Sequence, residues 1–276
     1  MILLVGRNGN LSLALQRAFP DQEIQIIGSD IANKWTLNGG EKHIEVDMEN
    51  LGLSPQVIIN TAGQLDPNKN ISSLLGINFH LPKNLELYSR KHGIKLVTFG
   101  TVMENLEDLS KSNPYLRSKR QYYEFLKNEA LPNSESLHLQ IHTWYGGTKP
   151  HTHMFLGQIL SALEKKVRFQ MSSGIQLREY HNIYDDIGAV QYLLREEISG
   201  IIQINHGATL SLKEIAIFIF EAFNLSELLE IDSIEAPEHE IFEKKFEPLK
   251  LLESVHFRDT CPGIVNDLQR LLEERK

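Results

Sequence analysis

Met1-Ile2-Leu3-Leu4-Val5-Gly6-Arg7-Asn8-Gly9-Asn10-Leu11-Ser12 opens the chain. Its apolar run, unbroken to a glycine, is the pattern of a strand buried on both faces of a parallel sheet. Leu13, Leu15 and Phe19 then continue as a helical stretch. Strand, glycine-rich turn and helix together are the context a dinucleotide fingerprint requires. Gly6 permits the tight turn. Gly9 lets the backbone approach a pyrophosphate at the helix N-terminus, where free N–H groups and the helix dipole attract anions. Ser12, small enough for close packing, holds the third glycine position, and Arg7, Asn8, Asn10 and Leu11 fall in the same candidate cofactor turn. A plain β–α turn is the alternative; the position directly behind the first strand favours the nucleotide.

Working outward, Glu23 to Ile27 read as a second strand ending at Gly28-Ser29-Asp30, where a ribose-binding acid is expected. Asp30 and Ser29 are the candidates. With Gly28 or Ser29 in the key position nothing repels a 2′-phosphate and Arg7 is at hand to meet it, so NADP(H) is favoured over NAD(H). His43 to Asp47 read as a short third strand, with Asp47 and Met48 at the adenine, although Asp47 also suits a helix N-cap. Val57 to Gly63 form the fourth strand; Thr61, Ala62 and Gly63 are small enough for a cofactor to lie across the strand ends, and Gln64 follows on the substrate side. A long helical segment carries Asn78, a further cofactor candidate. Lys95 to Thr101 form the fifth strand, with Thr98 and Thr101 as candidate catalytic hydroxyls at its carboxyl end.

The loop from Met103 delivers Asn113-Pro114-Tyr115-Leu116-Arg117-Ser118-Lys119, where Asn and Pro mark a helix start. Tyr115 and Lys119 lie one turn apart on one face. An ammonium beside a phenol favours phenolate, which makes the pair an acid–base device with a lowered phenol pKa. Leu137 to Gly147 read as one sixth strand ending in a glycine pair. Beyond it lie an amphipathic helix over Met154 to Lys166, a helix capped by Asp185 and running to Leu194, and a strand over Gly200 to Asn205. A capping box Ser211-x-x-Glu214 opens a helix to Phe223. The tail from Leu225 reads as acidic and mostly helical, interrupted at Cys261-Pro262-Gly263. The alternation predicts an α/β, doubly wound, mostly parallel sheet of Rossmann type over 1–147 plus about 178–205. A smaller C-terminal substrate-binding lobe takes 148–177 plus about 206–276.

Composition narrows the classes. The 276 residues carry a net charge of −8 without a basic cluster, which excludes nucleic acid as the expected partner. One cysteine, Cys261, leaves no intramolecular disulfide framework and fits a reducing, cytoplasmic compartment. The opening apolar run is too short for a signal-peptide core or a membrane span. His151 and His153 are two apart but have no Cys or carboxylate neighbour, so they read as surface and no metal is expected.

Taken in order, the Gly6-x-x-Gly9 turn, Asp47, Asn60-Thr61-Ala62-Gly63, Asn78, the Thr-bearing strand, Tyr115-x-x-Ser118-Lys119, Trp144-Tyr145-Gly146 and Ser173 to Tyr180 resemble the extended short-chain dehydrogenases/reductases that act on nucleotide sugars. The match runs through nearly the whole chain. Within that family the pattern is similar to the 4-ketoreductases, both the dTDP-4-dehydrorhamnose and the CDP-deoxyhexulose (paratose or abequose) groups. The resemblance implies an NAD(P)H-dependent reduction of a 4-keto-deoxysugar on a nucleotide diphosphate, in surface polysaccharide synthesis. Tyr115 is then the acid, Lys119 holds the nicotinamide ribose, His142, Thr143 and Trp144 bound the nicotinamide and substrate side, and Arg178 pairs with the diphosphate; helices beside the sheet would join two copies as a homodimer. One departure stands out: the usual catalytic Ser/Thr position is Phe99, so Thr101, with Thr98 second, must supply the hydroxyl. Two other readings stay open, an epimerase with retained NAD⁺ and a cofactor-binding regulatory subunit without chemistry. Gly100-Thr101 stands where the family's dehydratases add an Asp-Glu pair, which speaks against dehydration.

Overall fold

The computed structural model describes residues 1–20, 23–66, 68–106, 110–111, 113–129, 134–236 and 246–274. Parts of two expected segments, 107–109 and 112 of the loop before Asn113 and 237–245 of the acidic tail, lie outside the described residues. In chain order the elements are β1 (Ile2–Val5), α1 (Asn10–Ala18), β2 (Ile24–Ile27), α2 (Ser29–Trp35), α3 (Glu41–Leu51), β3 (Val57–Asn60) and α4 (Ile71–Leu75). A π-helical turn (Gly76–His80), α5 (Leu81–His92), β4 (Lys95–Thr101), α6 (Pro114–Asn128), β5 (Leu137–Ile141), β6 (Thr143–Tyr145), α7 (Phe155–Lys165) and β7 (Phe169–Gln170) follow. The chain continues through β8 (Leu177–Asn182), α8 (Ile183–Arg195), β9 (Gly200–Gln203), β10 (Thr209–Ser211), α9 (Leu212–Ala222), β11 (Leu229–Glu230) and α10 (Thr260–Glu273). Among the described residues no helix is long and apolar enough to cross a membrane.

The chain divides into two compact units, Met1–Ile141 with Gln191–Gln203, and His142–Val190 with Ile204–Lys276. The first holds a six-stranded sheet in the order β2-β1-β3-β4-β5-β9, parallel throughout. This is the expected doubly wound α/β sheet. Leu3, Val5, Ile58 and Leu96 pack from one face of the sheet with Trp35 of α2, Ile44 and Met48 of α3, and Leu81, Leu85 and Tyr88 of α5. Strand order reverses around β1, so the carboxyl ends of β1 and β3 flank the crevice where such sheets take ligands.

The second unit has a three-stranded sheet, β10-β8-β6, and a two-stranded one, β11-β7. Its own core joins Leu156, Ile159 and Leu160 of α7, Ile219 and Phe220 of α9, and Ile264 and Leu268 of α10. The capping box at Ser211 and Glu214 forms as read, with both reciprocal bonds present.

Several expectations are corrected. The third strand at His43–Asp47 is helix α3: Ile44 and Met48, four apart, are buried while Val46 is exposed, so helical spacing outweighs a brief alternation. Gly40 and Gly52 bound that helix, the latter with φ of 62°. The single strand over 137–147 breaks at His142; β5 joins the large sheet, and β6 pairs with β8 instead. That pairing moves 142–147 and 178–190 into the second unit, where the sequence division had placed them in the first. Cys261-Pro262-Gly263 does not interrupt a helix: it forms the first turn of α10, where proline's missing N–H is no loss. Asp185 lies inside the first turn of α8, while Asn182 Oδ1 accepts from Tyr184 N (3.0 Å).

Asn113 caps α6, its Oδ1 accepting from Tyr115 N (3.0 Å) and Leu116 N (3.2 Å) with Pro114 next to it. Asn113→Ala removes both bonds and is expected to cost about 1 kcal/mol. Urea unfolding should show a lower midpoint at an unchanged slope; an unaltered midpoint would mean the cap contributes nothing.

Candidate active site

The groove of the first unit starts at Gly6. Its φ of +113° suits glycine, and a Cβ there would stand 2.7 Å from Thr61 Oγ1 and 3.0 Å from Ala62 N. Thr61 Oγ1 donates towards Val5 O (3.0 Å) or Gly6 O (3.2 Å), and Ser12 Oγ donates to Gly6 O (2.7 Å). The turn is thereby tied to the end of β3 from one side and to α1 from the other. Ser12 acts through this hydrogen bond as well as its size. A cavity of about 210 Å³ opens here, lined by Gly6, Arg7, Asn8, Ser29 and Ala62 among the expected residues. Asn33 and Thr36 also line it; both were missed because that segment was not read as a helix. The cradle fits a dinucleotide: glycine backbone closes on small side chains, and α1 starts at Asn10 with no side chain capping it. Arg7 lies against Gly28, its Cζ 3.1 Å from where a Cβ there would stand, and Asp30 Oδ1 is 2.5 Å from the same point.

Not every expected cofactor residue reaches this groove. Asp47, on α3, accepts from Trp35 Nε1 (2.8 Å) and pairs with Lys34 (3.7 Å), so it is tied to α2. Met48 is in the apolar core, and Leu11 is buried under α1. Asn78 is a brace. Its Nδ2 donates to Gln64 O and to Ser118 Oγ, both at 2.9 Å, and its Oδ1 accepts from Gln64 N (3.0 Å). Ser118 Oγ donates in turn to Tyr115 O (2.7 Å). Gln64 and Gly63 therefore sit on a loop pinned to the helix of Tyr115.

Tyr115 and Lys119 are both half-buried on α6. Lys119 Nζ donates to Phe99 O (2.8 Å). Burial lowers its pKa, and the nearby Glu104 carboxylate opposes that shift. The phenol moves opposite to the sequence expectation: burial, with Glu104 adding to it, pushes Tyr115 well above its ordinary value of about 10. Loss of solvation outweighs any help from the ammonium one turn away.

Glu104 was not anticipated. It is fully buried, with Oε1 accepting from His138 Nε2 (2.8 Å) and Gln140 Nε2 (3.0 Å), and Oε2 from Thr101 N (3.2 Å). A carboxylate only accepts, so His138 Nε2 carries a proton; in the neutral ring Nδ1 then accepts from Thr98 Oγ1 at 2.8 Å. Thr98 is 2% exposed and its hydroxyl is committed inward, which removes it as a candidate catalytic group. Thr101, half-buried, remains; its Oγ1 accepts from Met103 N at 3.4 Å. Gly100 is required by the same cluster, because a Cβ there would collide with the Glu104 carboxylate and His138 Nε2. Two polar residues, His138 and Gln140, alternating through the buried strand β5 were the legible sign of this network.

In the second unit, Thr143 pairs with Tyr180 across β6 and β8. Arg178 is half-buried, its Nη1 donating to Leu177 O (2.7 Å), and burial lowers its pKa. Trp144 directs its indole N–H to Asp186 Oδ2 (2.5 Å). His142 is buried, with Nε2 2.8 Å from Asn205 Oδ1, so its ring is engaged inside the unit rather than offered to a cofactor. Burial, with His181 adding to it, lowers its pKa to about 4. His181 bonds Asp186 Oδ1 (2.6 Å) and Glu179 Oε1 (2.9 Å); burial opposes its charge, but the two carboxylates lift it to about 9.

No protein-family model matches the chain, and no curated protein matches it in sequence. Solved structures do match in fold over nearly the full length. A dTDP-4-dehydrorhamnose reductase of Clostridium acetobutylicum superimposes with a TM-score of 0.72 at 17% identity, covering 98% of this chain and 99% of that one. The enzyme WbmG of Bordetella bronchiseptica, in complex with NAD and UDP, gives 0.76 at 15% identity over 99% and 94%. RMD from Pseudomonas aeruginosa, complexed with NADPH, gives 0.75 at 14% identity over 100% and 99%. At these identities the likeness establishes a shared fold.

Glu104→Gln replaces a pure acceptor by a mixed donor and acceptor among three donors. It is expected to cost about 1–3 kcal/mol in urea unfolding. With the negative charge gone, the Tyr115 phenol should also titrate at lower pH, read from labelled tyrosine by NMR. An unshifted Tyr115 signal in a folded variant would contradict the electrostatic role.

Proposed function

We propose that the chain is an NAD(P)H-dependent oxidoreductase that reduces the 4-keto group of a deoxysugar carried on a nucleotide diphosphate. The carrying observation is the brace: Asn78 ties the loop after β3, beside the glycine turn, to the helix of Tyr115 and Lys119. The fold shared with a dTDP-4-dehydrorhamnose reductase and with an enzyme holding NAD and UDP supports the substrate class.

A bound nicotinamide supplies the hydride. Gly6, Gly9 and Thr61 hold the pyrophosphate turn close to the backbone, and Ser29 and Asp30 border the ribose. Tyr115 donates its phenolic proton to the carbonyl oxygen as charge develops there. Lys119 orients ribose hydroxyls, and the Thr101 hydroxyl steadies the same oxygen. Thr143 and Arg178 are substrate residues of the second unit, the guanidinium suited to a diphosphate. A phenol pushed upward stays protonated at neutral pH, as the reductive direction needs. An epimerase must first remove a proton from the substrate hydroxyl, for which this tyrosine is poorly set. The reading carries with it a soluble cytoplasmic enzyme of deoxysugar synthesis, paired as a homodimer.

Tyr115→Phe should reduce turnover of nucleotide 4-keto-deoxysugars by at least ~100-fold while cofactor affinity stays within a small factor. In the wild type, reduction should stay level between about pH 7 and about pH 9, because a raised phenol pKa postpones loss of the acid form. Substantial activity in the phenylalanine variant would sink the assignment.

NADP(H) is the proposed cofactor, on the strength of Arg7 against Gly28. Arg7→Ala should raise KM for NADPH roughly tenfold, equivalent to about 1.4 kcal/mol, and leave NADH nearly unaffected. Equal effects on both coenzymes would point to NAD(H) instead.

A further inference from the structure

The second unit holds a cluster that the proposed reduction does not use. Glu179 and His181, two apart on β8, project to the same face of their strand. His142 stands just before β6, its ring 4.9 Å from that of His181 and its Nε2 4.0 Å from Glu179 Oε2. One donor atom from each residue lies within 4.8 Å of the other two. All three side chains are buried, at 3%, 0% and 0% exposure.

We propose that His142, Glu179 and His181 form a binding site for a divalent transition-metal ion of the zinc class. Two imidazole nitrogens and one carboxylate oxygen are a donor set suited to zinc. An independent observation points to a cation here. Glu179 Oε1 accepts from His206 N (2.6 Å), Gly207 N (3.1 Å) and His181, whereas Oε2 is buried without a hydrogen-bond partner. A buried carboxylate oxygen left unpaired is costly, and an ion there removes the cost. The surroundings have the arrangement that orients metal-bound imidazole: His181 Nδ1 faces Asp186 Oδ1 at 2.6 Å, and Asp186 is itself held by Trp144 Nε1. With Nδ1 so engaged, Nε2 is the ligating atom.

The site requires a small closure. Two bonds of about 2.05 Å at a tetrahedral angle put donor atoms about 3.3 Å apart, so the 4.0 Å between His142 Nε2 and Glu179 Oε2 must shorten. The ion takes the place of the proton on His181 Nε2, which leaves to solvent, and binds Glu179 through Oε2. His142 ligates with its proton on Nδ1, which leaves the Nε2 lone pair for the metal and breaks its hydrogen bond to Asn205. A bound ion would cross-link β6 to β8. The inference stands independently of the reductase reading.

The test uses the full chain, stripped with a chelator and then equilibrated with Zn²⁺ or Co²⁺. One ion per chain is expected to survive gel filtration, with a tetrahedral Co²⁺ visible spectrum and a raised thermal midpoint in Zn²⁺. Glu179→Gln and His181→Ala should lose the ion. Asp186→Asn, which keeps every ligand, should bind roughly 10–100-fold more weakly. The double variant His151→Ala/His153→Ala should retain it, setting aside the exposed histidine pair whose rings stack at 5.4 Å. Wild-type protein that takes up no ion overturns the proposal without recourse to any variant. So does retention by folded Glu179→Gln, or loss from the His151/His153 double variant.

Discussion

The side chain of Asn78 bears more of the first unit's geometry than its size suggests. It spends both amide protons and its carbonyl on the backbone of Gln64 and on Ser118. It reaches them because the helix from Ile71 to His92 carries a π-helical turn at Gly76–His80. Such a turn inserts one residue per cycle and redirects side chains, and it recurs at functional sites. Here it directs a fully satisfied amide between the loop after β3 and the helix of Tyr115. A groove made by one loop and an acid carried by one helix are thereby held in register. The same bonds commit Asn78 to bracing the protein: both amide protons and one acceptor site are spent on it.

Each unit also buries a carboxylate against an imidazole. Such pairs are weak evidence for stability, because desolvation offsets much of the attraction; what they fix is arrangement. In the first unit the arrangement closes. Glu104 satisfies both oxygens with Thr101 N, His138 and Gln140, and Gly100 lacks a side chain where those groups converge. The turn that presents Thr101 is fixed by these contacts. In the second unit Glu179 satisfies one oxygen three times over and leaves the other bare. Equivalent chemistry thus gives a closed positioning network in one place and an open coordination position in the other.

What the sequence disclosed follows from how local each signal is. The glycine turn after β1, the Asn113 cap and the Ser211 capping box are set by residues within a few positions, and all three appear as read. The strand expected at His43–Asp47 failed because five residues can satisfy alternation and helical spacing at once; burial of Ile44 and Met48 decided for the helix. The break at His142 depends on which strand β6 pairs with, a contact with residues 180–182 that no local pattern encodes. The preference for Thr101 over Thr98 has its physical reason in the register of β4 with β5, which sets Thr98 opposite His138. Arg178 drew attention as a charged residue in a motif, while Glu179 and His181 beside it, which carry the buried chemistry, were given no role.

The direction of the Tyr115 shift bears on what the site can do. A lysine one turn away is usually taken to favour phenolate, yet an ammonium lowers a phenol's pKa only as far as it compensates the solvation lost on burial. Here burial lowers the pKa of Lys119 as well, and its Nζ donates to Phe99 O, while Glu104 adds negative potential to both groups. The balance holds the proton on the phenol. A phenol held in this way can donate a proton but not accept one, and only a charge arriving with a ligand would change that. That asymmetry comes from the chain's own residues, above all from a carboxylate three residues beyond Thr101 that the acid–base pair alone would not reveal.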